Sequence, residues 1–261
     1  MGLIDFSYIL TAIIEIGVPI ALAILVWKKF KVSWAIFGLG VLLFLASLIR
    51  IPLNNYLGTL LQSSFRGEIF YILYGVMAGL MAGIFEEGVR CIALGAVIKP
   101  RGYYKGIMYG IGHGGGGESM IFVGLTTIAN FIIFKFFPNI LPVNVVSQIG
   151  QVVWYLPLVG AMERIFAIAI QIAFSVLIMY AFISRKYYII AVTVILHAIV
   201  DFAAYYINYK FGFWYAEIGV AVFAVIGIII IFKLKPRNGG ADKGKLINQN
   251  DMDILSDVAD K

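Results

Sequence analysis

Seven long apolar runs divide the chain, at roughly 6–26, 33–52, 69–98, 106–134, 157–183, 187–208 and 213–232, with short polar or basic stretches between them. Each run reaches the about 20 mostly apolar residues that a helix needs to cross the hydrocarbon of a bilayer. The pattern predicts an all-α, polytopic membrane helix bundle of about seven spans. The third and fourth runs are longer than a bilayer requires, so they must tilt, kink or project beyond it. The 53–67 and 135–156 connections, the second holding Pro138 and Pro142 and almost no charge, are expected to lie in the outer interface. From Pro236 the chain turns polar, Gly-containing and mildly acidic. Residues 1–235 therefore read as the transmembrane domain and 236–261 as a mobile cytosolic tail.

Composition narrows the class. Of 261 residues, 62% are hydrophobic and only 13% charged, and the mean hydropathy is +0.96. A soluble enzyme or a nucleic-acid binder would carry about a quarter charged residues, so both are excluded, and no nucleic-acid partner is expected. The net charge of +6 falls mainly between runs. Lys28, Lys29 and Lys31, then Lys99, Arg101 and Lys105, then Arg185 and Lys186, then Lys233, Lys235 and Arg237 occupy alternate connections. The intervening ones hold Arg66, Lys135 and Lys210, apart from Arg50 near the end of the second run. By the positive-inside bias the N-terminus is outside and the C-terminus cytoplasmic, which suits seven spans. Residues 1–7 lack the basic start of a cleavable signal. The single cysteine, Cys91, permits neither a disulfide nor a multi-cysteine metal site.

Ionisable side chains inside a span are costly unless paired or hydrated, so each one marks a functional hypothesis. The third run carries Glu86, Glu87 and Arg90, the fourth His113 and Glu118, the fifth Glu163, Arg164 and the neutral Gln171, and the sixth His197 and Asp201. At about 1.5 Å of rise per residue, Glu86 lies about 20 Å in from Lys99, Glu118 about 20 Å from Lys105 and Gln171 about 21 Å from Arg185. His197 and Asp201 lie about 17 and 23 Å from Lys186, His113 is shallower at about 12 Å, and Glu163 with Arg164 is near the outer side at about 32 Å. Four helices thus bring polar groups to one level.

Spacing within the runs points the same way. Glu86 and Arg90, four apart, share a face, and Gly75, Gly79, Gly83 and Glu87 form an adjoining small-residue stripe suited to close helix packing. His197 and Asp201, also four apart, point together. His113 and Glu118 are five apart, about 500° of turn, and a regular helix would aim them apart. The four glycines between them, Gly114 to Gly117, allow a bulge that turns both inward. Irregular backbone at this depth is tolerated only against protein or water, so the run predicts a cavity open toward the cytoplasmic half. Glu86, Glu87, His113, Glu118, His197 and Asp201 are expected to line it. Glu163 and Arg164 read as a structural clamp. Gln171, neither acid nor base and a poor zinc ligand, is left outside the site, and Glu15 and Glu217 receive no role.

The ordered set of Glu86-Glu87 with Arg90, His113 and Glu118 in a glycine-rich helix, Glu163-Arg164, and His197-x-x-x-Asp201 resembles the intramembrane proteases of the CAAX-protease and bacteriocin-processing superfamily, and within it the YhfC-type membrane proteins. The resemblance covers roughly 80–205. Many members have Glu-Glu-x-x-x-Arg and Phe-x-x-x-His; here the arginine comes one residue early and Tyr109 replaces the phenylalanine. The resemblance implies an integral protein of a prokaryotic plasma membrane that hydrolyses peptide bonds in membrane-embedded or lipid-modified peptides or proteins. Glu86 or Glu87 would activate water, His113 or His197 would assist, and Arg90 and Asp201 would orient.

The same residues also suit a metal. His113 and His197 with a carboxylate, Glu87 being taken as the third ligand, would hold zinc and leave a position for water. Metal-free and metal-assisted hydrolysis stay equally open at this point. Outside the protease class the alternatives are a non-catalytic membrane scaffold and a proton-coupled transporter, the latter disfavoured because one glycine break, not a matched pair in two halves, is present.

Overall fold

A computed structural model describes residues 2–140 and 152–236; the predicted tail from 237 onward and the centre of the 135–156 connection lie outside them. Every regular element among the described residues is helical. Seven helices are long and apolar enough to cross a membrane: α1 (Leu3–Phe30), α2 (Trp34–Ser64), α3 (Gly67–Val97), α4 (Tyr103–Phe136), α5 (Leu156–Ser184), α6 (Tyr188–Phe211) and α7 (Phe213–Lys233). The chain is an integral membrane protein.

One predicted boundary is corrected. α2 continues to Ser64, so the 53–67 connection shrinks to Phe65 and Arg66. Only one face of this piece meets the bundle: Asn54 and Gly58 are buried, and a Cβ at Gly58 would lie 2.6 Å from the Tyr74 ring in α3, while Asn55, Thr59, Gln62, Ser63 and Ser64 are exposed. α2 is interrupted at Leu48 and Ile49 between helical pieces Trp34–Ser47 and Arg50–Ser64. Pro52 sits in the first turn of the second piece, where its missing N–H leaves no bond unmade.

Two features position the site. The first is close contact between α3 and α6, where the small-residue stripe lies against backbone. A Cβ on Gly79 would meet the Ala198 carbonyl oxygen at 2.6 Å, and one on Gly83 the Val194 carbonyl oxygen at 2.5 Å. With little hydrophobic drive between helices in lipid, such small-residue contact is what lets two spans associate. The second feature is α4, which is α-helical over Tyr103–Gly110, a π-helix over Ile111–Gly124, and α-helical again over Leu125–Phe136. This segment is wedged between α1, α2 and α5. A Cβ at Gly115 would lie 2.9 Å from Pro19 of α1 and one at Gly117 2.6 Å from Phe44 of α2, while Gly114 abuts Gln171 of α5. α5 is the central helix, packed on α1, α4, α6 and α7.

Candidate active site

Glu86 and Glu87 are neighbours on α3, so their side chains leave the helix about 100° apart and reach different partners. Glu86 turns toward α2 and α4. Its Oε1 accepts from Arg50 Nη2 at 2.6 Å, and its Oε2 lies 3.2 Å from His113 Nε2 and accepts from Gln171 Nε2 at 3.1 Å. Glu87 turns toward α6, where its Oε1 accepts from Arg90 Nη1 at 2.5 Å and lies 2.7 Å from His197 Nδ1. Arg90 thus pairs with Glu87 three residues away, not with Glu86 four away, and it also donates to Gln171 Oε1.

The π-helix resolves the five-residue spacing on α4. In an i→i+5 hydrogen-bonded helix, residues five apart stack rather than diverge, and His113 and Glu118 both face the bundle interior. The glycines serve close packing here, because α1, α2 and α5 fill the space on every side of them. Glu118 accepts from Gln171 Nε2 at 3.1 Å and from Arg164 Nη1 at 2.9 Å; Arg164 also donates to Glu163. The predicted Glu163–Arg164 clamp is therefore joined to the site through Glu118.

Both imidazoles are held by their Nδ1 side. His197 Nδ1 faces Glu87, and its ring stacks on Phe174 at 5.0 Å. His113 Nδ1 is 3.4 Å from the Tyr109 hydroxyl, and its ring packs edge-on against Phe44 at 5.3 Å. Their Nε2 atoms converge on one oxygen, Oε2 of Glu86, at 3.2 Å from His113 and 3.9 Å from His197. Asp201 Oδ2 follows at 3.8 Å from His197 Nε2.

Among the described residues no three His, Cys, Asp or Glu side chains are gathered as tightly as an occupied metal shell. The donor chemistry nevertheless fits zinc. Ligands about 2.0–2.1 Å from a tetrahedral ion lie about 3.3 Å from one another, close to the 3.2 Å separation at His113 and shorter than the 3.9 Å at His197, and a second partner on the far ring nitrogen is the usual support for a histidine ligand. Both Nε2 atoms face Glu86 Oε2, whereas Glu87, the carboxylate expected as third ligand, turns its Oε1 to Arg90 and to His197 Nδ1.

The cluster is sealed on one side and partly exposed on the other. Toward the basic ends, each contributing helix interposes a buried layer: Leu94 on α3, Tyr109 on α4, Ile178 and Met179 on α5, and Thr193 on α6 are at most 1% exposed. Away from those ends exposure rises, to 20% for the Glu118 side chain and 40% for Asp201, against 0–4% for Glu86, Glu87, Arg90, His113 and His197. This corrects the expectation of an opening toward the basic, cytoplasmic half, which counted polar depth but not the apolar layer beneath it. Sequence reasoning also left out Arg50, Gln171 and Tyr109. Arg50 and Gln171 carried a usable signal, as polar residues inside apolar runs with Gln171 at the shared depth.

A family model described as YhfC intramembrane metalloprotease matches residues 14–226. An uncharacterized membrane protein YhfC of Bacillus subtilis (strain 168) is 28% identical over 249 residues, covering 87% of this chain and 94% of the relative. No solved structure matches the chain. The chain belongs to the YhfC intramembrane metalloprotease family.

Proposed function

We propose that the protein hydrolyses peptide bonds within the membrane, with His113, His197 and Glu86 holding a zinc ion. The observation that carries this reading is the convergence of both Nε2 atoms on Glu86 Oε2 while both Nδ1 atoms are engaged elsewhere. Bound there, zinc supplies a Lewis acid and brings the pKa of a bound water down to about 7.

The chain's own groups do the rest. Glu87 accepts the Nδ1 proton of His197, which leaves the Nε2 lone pair directed at the centre; the Tyr109 oxygen serves His113 in the same way. Arg50 and Gln171 each donate to one oxygen of the Glu86 carboxylate, and Arg50 offsets its charge. Asp201 is the carboxylate placed to take the proton from the attacking water and return it to the leaving amine as the C–N bond breaks. It stands beside His197 with its side chain partly exposed, whereas both Glu118 oxygens already accept from Arg164 and Gln171. The family description, an intramembrane metalloprotease, supports the same reading.

A second reading, a metal-free Glu86–His113 pair activating water directly, is favoured by their 3.2 Å contact. Metal analysis of the purified protein separates the two. The zinc reading expects roughly one ion per chain, lost with a strong chelator and in His113→Ala and His197→Ala. Asp201→Asn should keep the ion yet lose about 10²–10⁴ in cleavage rate. Metal-free protein with full, chelator-resistant activity would overturn the zinc assignment.

A further inference from the structure

We infer that water and the peptide reach the cluster from the helix ends remote from the basic connections, through a rim built by Arg50, Glu118, Arg164 and Asp201. The substrate is then a chain segment presented from the side of the membrane on which Arg66 and Gly212 lie. The inference rests on the peptidase reading for the identity of the substrate, but not for the route.

Four helices carry the argument independently. In α4 the order from the basic end is Tyr109, His113, Glu118; in α6 it is Thr193, His197, Asp201; in α5, Ser175, Gln171, Arg164. In each case the first is sealed and the last is partly exposed: Tyr109, Thr193 and Ser175 at 0%, against side-chain exposures of 20%, 40% and 15%. Arg50, at the break in α2, is 19% exposed while gripping Glu86, itself 3% exposed. Lipid contact does not explain the pattern, because Arg50 turns inward onto Glu86 and Glu118 onto Gln171, and Asp201, whose ion-pair contact among the described residues is His197 at 3.8 Å, would be a costly charge in lipid. A polar cleft that admits water does explain it. At its rim Arg50, Arg164 and Glu118 are held by partners within the cluster, and Asp201 presents its carboxylate to the N–H donors of an extended backbone. By the positive-inside bias that side is the outside.

Two positions on one face of α5 bracket the site, Ala167 four residues before Gln171 and Ser175 four residues after it. In a Cys91→Ala background, reconstituted into sealed vesicles, Ala167→Cys and Ser175→Cys are exposed to a membrane-impermeant thiol reagent. Arg66→Cys and Lys29→Cys report the two sides. Ala167→Cys should react from the Arg66 side at least about tenfold faster than Ser175→Cys, which should stay protected from both sides until the protein is denatured. Protection of Ala167→Cys, or reaction of Ser175→Cys from the Lys29 side, overturns the route. A bulky maleimide on Ala167→Cys should also slow cleavage of a single-span reporter peptide in the same vesicles by about tenfold or more, while the same adduct on Arg66→Cys should not. Unchanged cleavage by fully modified Ala167→Cys overturns the substrate path. If the labelling pattern holds in protein that carries neither zinc nor peptidase activity, the route stands and the proposed reaction fails.

Discussion

Arg90 and Arg164 do the same chemistry in two settings. Each guanidinium bridges two oxygen acceptors, Glu87 and Gln171 for Arg90, Glu118 and Glu163 for Arg164. Arg90 and Glu87 are fully buried, whereas the Arg164, Glu118 and Glu163 side chains are 15%, 20% and 32% exposed. Depth sets their worth. Removing one member of a buried pair strands a charge where nothing solvates it, whereas at a wet rim water replaces the lost partner. The inner arginine therefore belongs to the scaffold that holds the histidines, and the outer one to the approach.

The contrast is sharpest in Arg90→Met, which leaves Glu87 buried without its cation; a loss of about 3–5 kcal/mol is expected, read as a large fall in melting temperature in detergent or as failure to recover folded protein. A melting temperature equal to that of the parent would abolish the distinction between the two arginines. Next comes Gln171→Leu, which removes the neutral bridge between Arg90, Glu86 and Glu118. Loss of its hydrogen bonds should cost about 1–3 kcal/mol, and looser support of Glu86 should weaken zinc binding about 10–100-fold by titration.

Arg164→Met should cost about 1 kcal/mol or less, since Glu118 keeps Gln171 and gains water. A penalty as large as that of Arg90→Met would mean the rim is dry, and would count against the entry route too. The smallest effect is expected for Glu163→Gln, within about 0.5 kcal/mol of the parent by thermal unfolding. Glu163 touches the cluster only through Arg164, so its loss should leave zinc binding unchanged.

The same division separates α3 from α4. On α3 a regular helical period suffices: the glycine stripe packs on α6, and Glu86 and Glu87 emerge toward different neighbours. On α4 the α-helical period would separate His113 from Glu118, and the π segment brings them to one face. The glycine run announced that the backbone departs from the α-helix there. It could not announce that the departure serves packing against Pro19, Phe44 and Gln171.

The apolar runs by themselves determined the membrane bundle and its seven spans, because hydrocarbon thickness fixes how much apolar sequence each needs. The cost of burying charge likewise marked Glu86, Glu87, Arg90, His113, Glu118, His197 and Asp201 as residues that had to find partners. Which partners they found was decided by the tertiary structure. Glu86 rather than Glu87 faces both Nε2 atoms, Arg50 and Gln171 join from helices distant in sequence, and the apolar layer of Leu94, Tyr109, Ile178 and Met179 closes the basic side. Helical period fixes the direction of a side chain about its own axis, but the rotation and depth of one helix against another are set by close packing, which is a property of pairs of surfaces and not of any single run.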